Sequence, residues 1–233
     1  MKRLFFIPLL FLSAVLYADE LRPNLGNYIP AAVVSGDTIP VPSVVVSSDD
    51  FTDNSGINLN THYSTGTVGI SGYSWTKRGG PQNLNISGNA VVSAGNSDAA
   101  DYYITYLPTA TIYSVEATIQ VDSSGQSASL LTIANDTVNA GYGFRWEGAG
   151  FRGYKFSGGT VIGTYVGTAP TVATVIKIVA KHTAGLTELW FYTGGVLRFT
   201  YHDTSSPLAK GFCGASNYYS DPQPTMDKLI VRE

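Results

Sequence analysis

Tyr113-Ser114-Val115-Glu116-Ala117-Thr118-Ile119-Gln120-Val121 alternates without a fault. Tyr113, Val115, Ala117, Ile119 and Val121 fall on one face, and Ser114, Glu116, Thr118 and Gln120 on the other. Side chains of a strand point alternately to its two faces, so this stretch predicts a strand with one apolar and one wet side. The same period holds on either side of it. Leu84 and Ile86 run into Ser87-Gly88-Asn89 and then Ala90-Val91-Val92, which predicts a hairpin. Val172 to Lys181 predicts a long strand, with Ile176, Ile178 and Ala180 on one face and Lys177, Val179 and Lys181 on the other. Glu188 to Tyr192, Thr193-Gly194-Gly195 and Val196 to Tyr201 give a second hairpin, and Lys228 to Val231 a last strand. No segment sustains a 3.6-residue period. Many short strands separated by Gly-rich turns predict an all-β, two-sheet antiparallel sandwich over residues 49–233.

Ahead of that body, Lys2 and Arg3 precede an apolar run from Leu4 to Leu16, with the small Ala18 before Asp19-Glu20. The run is short for a bilayer span and no second one follows, so residues 1–18 read as a cleaved signal peptide. No Cys lies near the cut for lipid attachment. The chain is expected to be secreted, periplasmic or displayed at the cell surface, with no membrane span after cleavage. Residues 19–48 carry Pro23, Pro30, Pro40 and Pro42 and read as an arm or linker. Its Val33-Val34 and Val44-Val45-Val46 runs could pair only at sheet edges, because proline cannot donate to a ladder. Charged residues are 13% and the net charge is −3, which offers no basic surface for tracking phosphates and argues against nucleic acid as a partner. Cys213 is the sole cysteine, so no intrachain disulfide staples this fold, and its apolar setting suits a small buried residue.

Four stretches resemble a concanavalin A-like jelly roll of the laminin-G-like kind found in bacterial and phage surface proteins. Asp49-Asp50-Phe51-Thr52-Asp53, followed by Gly56, His62, Trp75 and Gly79-Gly80, opens the domain. Ile86-Ser87-Gly88-Asn89 starts the first hairpin return, and Tyr142-Gly143-Phe144-Arg145-Trp146 precedes the Tyr154-Lys155-Phe156 strand. Trp190 to Phe199 carries the strand, Gly turn, strand signature, and Asp227 to Val231 closes the sheet beside the first strand. The resemblance covers residues 49–233 and implies fold far more than function. It also implies a structural calcium between first and last strands, with Asp50, Asp53 and Asp227 as donors. Calcium needs six to eight oxygens, for which three carboxylates are a nucleus. Asp49, Asp50 and Asp53 also suit a solvated turn.

Glycoside hydrolases with this fold resemble one another in a strand bearing Glu-x-Asp-x-x-Glu, which sets two carboxylates on one face to flank a glycosidic bond. Here there is no Glu-x-Asp and no Glu-x-Glu. Gly148-Ala149-Gly150-Phe151-Arg152-Gly153 matches a dinucleotide pattern, yet a strand rather than a helix follows it, so it reads as a Gly-rich turn. No Gly-x-Ser-x-Gly is present. His62, His182 and His202 are scattered and read as surface or turn residues rather than zinc ligands or triad members.

Aromatics are the remaining clue. Sugar sites pair an aromatic plate for the C–H face of a pyranose with polar groups for its rim. Two stretches expected to be loops offer this mixture: Trp146, Phe151 and Arg152 in one, and Asn217, Tyr218, Tyr219 and Asp221 in the other. Trp146 also shares strand parity with Tyr142 and Phe144, which is the parity of a core position. The reading is an exported, non-catalytic module recognising a polysaccharide or glycan, or adhering to surface proteins. Its alternatives are a structural envelope or virion-associated interaction protein, and a polysaccharide hydrolase or lyase.

Overall fold

A computed structural model describes residues 28–30, 39–52, 56–64, 72–79, 83–93, 101–119, 129–134, 140–147, 150–155, 160–167, 173–217 and 224–233. Residues 1–18, expected to be a signal peptide, and Asp53, Tyr218, Tyr219 and Asp221 lie outside them. The strands are β1 (Tyr28–Pro30), β2 (Val45–Asp49), β3 (Thr76–Gly79), β4 (Leu84–Ser87), β5 (Ala90–Ser93), β6 (Asp101–Tyr106), β7 (Ile112–Ile119) and β8 (Ser129–Ala134). They continue as β9 (Gly141–Glu147), β10 (Gly150–Lys155), β11 (Thr160–Val166), β12 (Thr174–Thr183), β13 (Leu186–Thr193), β14 (Val196–Asp203), β15 (Phe212–Asn217) and β16 (Pro224–Arg232). Among the described residues there is no α-helix, and no helix long and apolar enough to cross a membrane.

These strands form two antiparallel sheets, a jelly-roll sandwich. The larger runs β1-β14-β13-β12-β7-β16-β5-β4, with β2 also on β16; the seven-stranded sheet runs β11-β10-β9-β8-β15-β6-β3. The period-two reading explains the interior. Tyr113, Val115, Ala117 and Ile119 of β7 and Ile176, Ile178 and Ala180 of β12 are all buried on the inner face of the larger sheet. Against them lie Tyr142, Phe144 and Trp146 of β9. Phe144 meets Phe191 and Phe199 at ring-centroid distances of 5.2 and 5.7 Å, which ties the two sheets through aromatic edges and faces. Both expected hairpins form on two-residue turns. Gly88 and Asn89 both sit at φ 61, and Gly194 and Gly195 at φ 53 and 78, the pair of left-handed residues a type I′ turn demands.

Residues ahead of position 49 take part in the sandwich. β2 pairs with the C-terminal half of β16, Leu229 facing Asp49 and Val231 facing Ser47. β1 pairs with β14 at the rim of the same sheet, and it ends on Pro30, whose missing N–H is tolerated at an edge.

Candidate functional site: the outer face of the seven-stranded sheet

Because Tyr142, Phe144 and Trp146 fill the core, Gly143 and Arg145 of β9 point away from the larger sheet. On β10, Phe151 packs inward against Phe144 and Trp146 at 5.6 and 4.9 Å, so Arg152 and Tyr154 share the outer face with Arg145. Arg145 and Arg152 are directly opposed across the two strands, as are Gly143 and Tyr154. The Arg145 guanidinium lies over the Tyr154 ring, 4.8 Å from its centroid, and its Nη2 donates to the Tyr154 hydroxyl at 3.0 Å. Cation–π contact and hydrogen bond together fix the orientation of both side chains. Two strands away on β15, Cys213 and Ala215 are core residues, which turns Gly214 and Ser216 to the opposite side of the sheet, where both are nonetheless buried.

Strand direction brings the β9–β10 connection and Asn217 to one end of the sheet. β8 lies between β9 and β15 and is antiparallel to both. β9 and β15 therefore run the same way, and their C-terminal ends emerge side by side, about 10 Å apart at two strand spacings. One end leads into the β9–β10 turn. The other is Asn217, directly before residues 218–223, which lie outside the described set.

The Trp146–Arg152 stretch is a tight hairpin rather than an open loop. Trp146 is 1% and Phe151 3% exposed, and their edge-to-face contact belongs to the core. That corrects the expectation that these two rings present a ligand plate: inward parity puts them between the sheets. Arg152 keeps an outward place, and the aromatic that accompanies it is Tyr154, a β10 residue outside the expected cluster. The Gly-x-Gly-x-x-Gly stretch has a packing reason. Gly153 pairs with Gly163 of β11, and both abut the Phe199 ring, which a side chain at either position would strike.

The expected calcium donors are partly gathered. Asp50 and Asp227 line one open groove of about 530 Å³ with Thr52, Asn89, Thr118 and Lys228. The Lys228 ammonium sits 3.2 Å from Asp50 Oδ1. No group of three or more His, Cys, Asp or Glu is placed to hold a metal among the described residues. Asp53, the third expected donor, lies outside the described residues.

Two histidines depart from the surface reading. His62 is 3% exposed, with Nε2 3.1 Å from both oxygens of Asp49, itself fully buried. Trp75 Nε1 donates to Asp49 Oδ2 at 2.6 Å, and the Phe51 N–H to Oδ1 at 2.9 Å. This network stitches β2 to the segment before β3 and holds Phe51 at its left-handed φ of 49. His182 stacks on Tyr113, 5.5 Å between centroids, with Nε2 3.1 Å from the Tyr113 hydroxyl and Nδ1 3.1 Å from Thr187 Oγ1. Burial, and secondarily Lys210, hold its pKa at about 4, against a raising contribution from the Leu208 carbonyl.

No family model and no curated protein matches the sequence. Solved structures do match. The endo-1,3-beta-glucanase from Streptomyces sioyaensis aligns over 84% of this chain and 98% of its own, with 14% identity and a TM-score of 0.51. The fold is a concanavalin A-like jelly roll. A glycosyl hydrolase family protein from Mycobacterium fortuitum aligns over 81% of this chain and all of its own at 15% identity and a TM-score of 0.47. The Ca2+/Man2-bound exoplasmic/lumenal domain of VIP36 aligns over 76% and 86% at 9% identity and 0.47. At these identities the likeness speaks for fold, and the glucanase alignment carries that statement for the concanavalin A-like jelly roll.

Proposed function

We propose that this chain is an exported, non-catalytic carbohydrate-recognition or adhesion module that takes a polysaccharide on the outer face of its seven-stranded sheet. The observation supporting this is the Arg145–Tyr154–Arg152 arrangement beside the ends of β9 and β15. The partly exposed Tyr154 ring and Arg152 guanidinium offer surface to sugar C–H groups and donors to hydroxyls, and Arg145, 2% exposed, lies against Tyr154 and orients it. Asn217 and the following Tyr218, Tyr219 and Asp221 extend it along the sequence. Residues 1–18 would direct export, and the sandwich would act outside the cytoplasm.

A second reading, polysaccharide hydrolysis, draws support from the fold shared with a protein named as a glucanase. Against it stands the absence of Glu-x-Asp and Glu-x-Glu from the sequence. One experiment separates them: incubate the full exported chain with a panel of insoluble and soluble polysaccharides, then measure both co-sedimentation and release of reducing ends. Binding without release supports the module. Release of reducing ends favours the hydrolase, and neither binding nor release on any member moves the weight to a structural envelope role.

A further inference from the structure

Lys155 ends β10 in one sheet and Asp203 ends β14 in the other, and the two side chains meet between them. Lys155 Nζ is 2.6 Å from Asp203 Oδ2, with the lysine side chain 10% exposed and the aspartate 0%. Tyr142 donates from its hydroxyl to the same Oδ2 at 2.5 Å, and that hydroxyl accepts the Leu208 N–H at 3.0 Å. The Ser206 carbonyl accepts from Nζ at 2.8 Å, and the Ser206 N–H approaches Asp203 Oδ1 at 3.4 Å. An amine nucleophile, an acyl carbon and a donor to each carboxyl oxygen are thus held in contact in a site shielded from water.

We propose that Lys155 and Asp203 condense after folding into an intramolecular amide that covalently joins the two sheets. Within the pair, the ammonium passes one proton to Oδ2. The Nζ lone pair then attacks Cγ, and the Nζ–Cγ bond forms. The Cγ–Oδ2 bond breaks and Oδ2 leaves as water, carrying two of the three ammonium protons; the third stays on the amide nitrogen. No atom changes oxidation state and no co-reactant is required. Tyr142 hydrogen-bonds the departing oxygen, and the Ser206 N–H faces the oxygen on which negative charge develops. Burial and the Asp203 contact push the Tyr142 phenol up, so it remains a donor. Burial raises the Asp203 carboxyl, but the hydrogen bonds from Lys155 and Tyr142 outweigh it, so the ion pair is the resting form and the step is slow. Fixed contact compensates for slowness, because two groups locked in place react as though at very high concentration. The bond would give a chain with one cysteine the cross-sheet staple that disulfides cannot supply.

Peptide mapping and intact mass of the full chain, denatured after purification, test this. The expected result is a loss of one water and a branched peptide joining the segments that contain Lys155 and Asp203. Lys155→Arg should restore the full mass. Asp203→Asn should lose one ammonia in place of water, because the leaving group is then NH3. Recovery of Lys155 and Asp203 in separate, unmodified peptides from wild-type protein overturns the proposal and leaves a buried ion pair. A one-water loss without the branched peptide overturns it equally.

Discussion

Replacing Gly163 by Ala tests how the sheets are packed. A Cβ at Gly163 would lie 2.5 Å from Cδ2 and 2.6 Å from Cε2 of Phe199. Carbon atoms settle about 3.5–4.0 Å apart, so the overlap is roughly 1 Å. Phe199 cannot swing away: it is fully buried, stacked on Phe191 at 4.5 Å and edge-on to Phe144. Overpacking of this kind costs about 2–3 kcal/mol, a fall in melting temperature of about 5–10 °C for a domain of this size. Phe199→Ala alone should cost about 3–5 kcal/mol through the cavity it leaves. In the double variant the new methyl enters that cavity, so the combined loss should fall short of the sum by about 1–2 kcal/mol. Urea unfolding of the four proteins measures this. Costs that add to within about 0.5 kcal/mol would refute the contact and the β11–β14 packing built on it.

Stability should also depend on His182. Its folded pKa of about 4 lies below the unfolded value of 6.5, so the folded state favours the neutral ring. The contribution is complete above pH 6.5 and is lost as pH falls towards 4. The shift sets a ceiling of about 3 kcal/mol, and screening at this half-buried site brings the expectation to about 1–2 kcal/mol. His182→Gln should flatten that part of the pH–stability curve, and an unchanged slope would remove His182 as its source. Separately, if Asp50, Asp53 and Asp227 hold a structural calcium, the melting temperature should rise from EDTA to millimolar-range calcium, and an unchanged value would dispose of the site.

The larger sheet was the more legible of the two. β7, β12 and the β4–β5 and β13–β14 hairpins each have alternation or turn glycines written locally, and each forms where expected. β9 and β10 were harder, because their outward positions hold Gly143, Arg145, Arg152 and Tyr154 rather than a plain polar set. A two-residue connection between them left no composition signal, so Trp146 and Phe151 read as loop aromatics although both are core. The buried networks could not be read locally. Asp49, His62 and Trp75 are spread along the chain, and Lys155 meets Asp203 only because the two sheets close on each other. Asp49 and Asp50 look alike in sequence, yet one is buried on Trp75 and the other pairs with Lys228 at a groove.

Polysaccharide affinity, measured beside melting temperature for Arg152→Ala, Tyr154→Phe and Trp146→Ala, tests the ligand face most directly. Wild-type affinity should lie in about the micromolar-to-millimolar range. Arg152→Ala should lose most of it with melting temperature nearly unchanged, since Arg152 is outward-facing and half-buried. Tyr154→Phe removes the hydroxyl that orients Arg145 and should weaken binding while keeping the ring. Trp146→Ala should instead cost about 3–5 kcal/mol of stability as a core cavity. Full affinity retained in Arg152→Ala and Tyr154→Phe would contradict the claim that glycan lies on the outer face of the seven-stranded sheet.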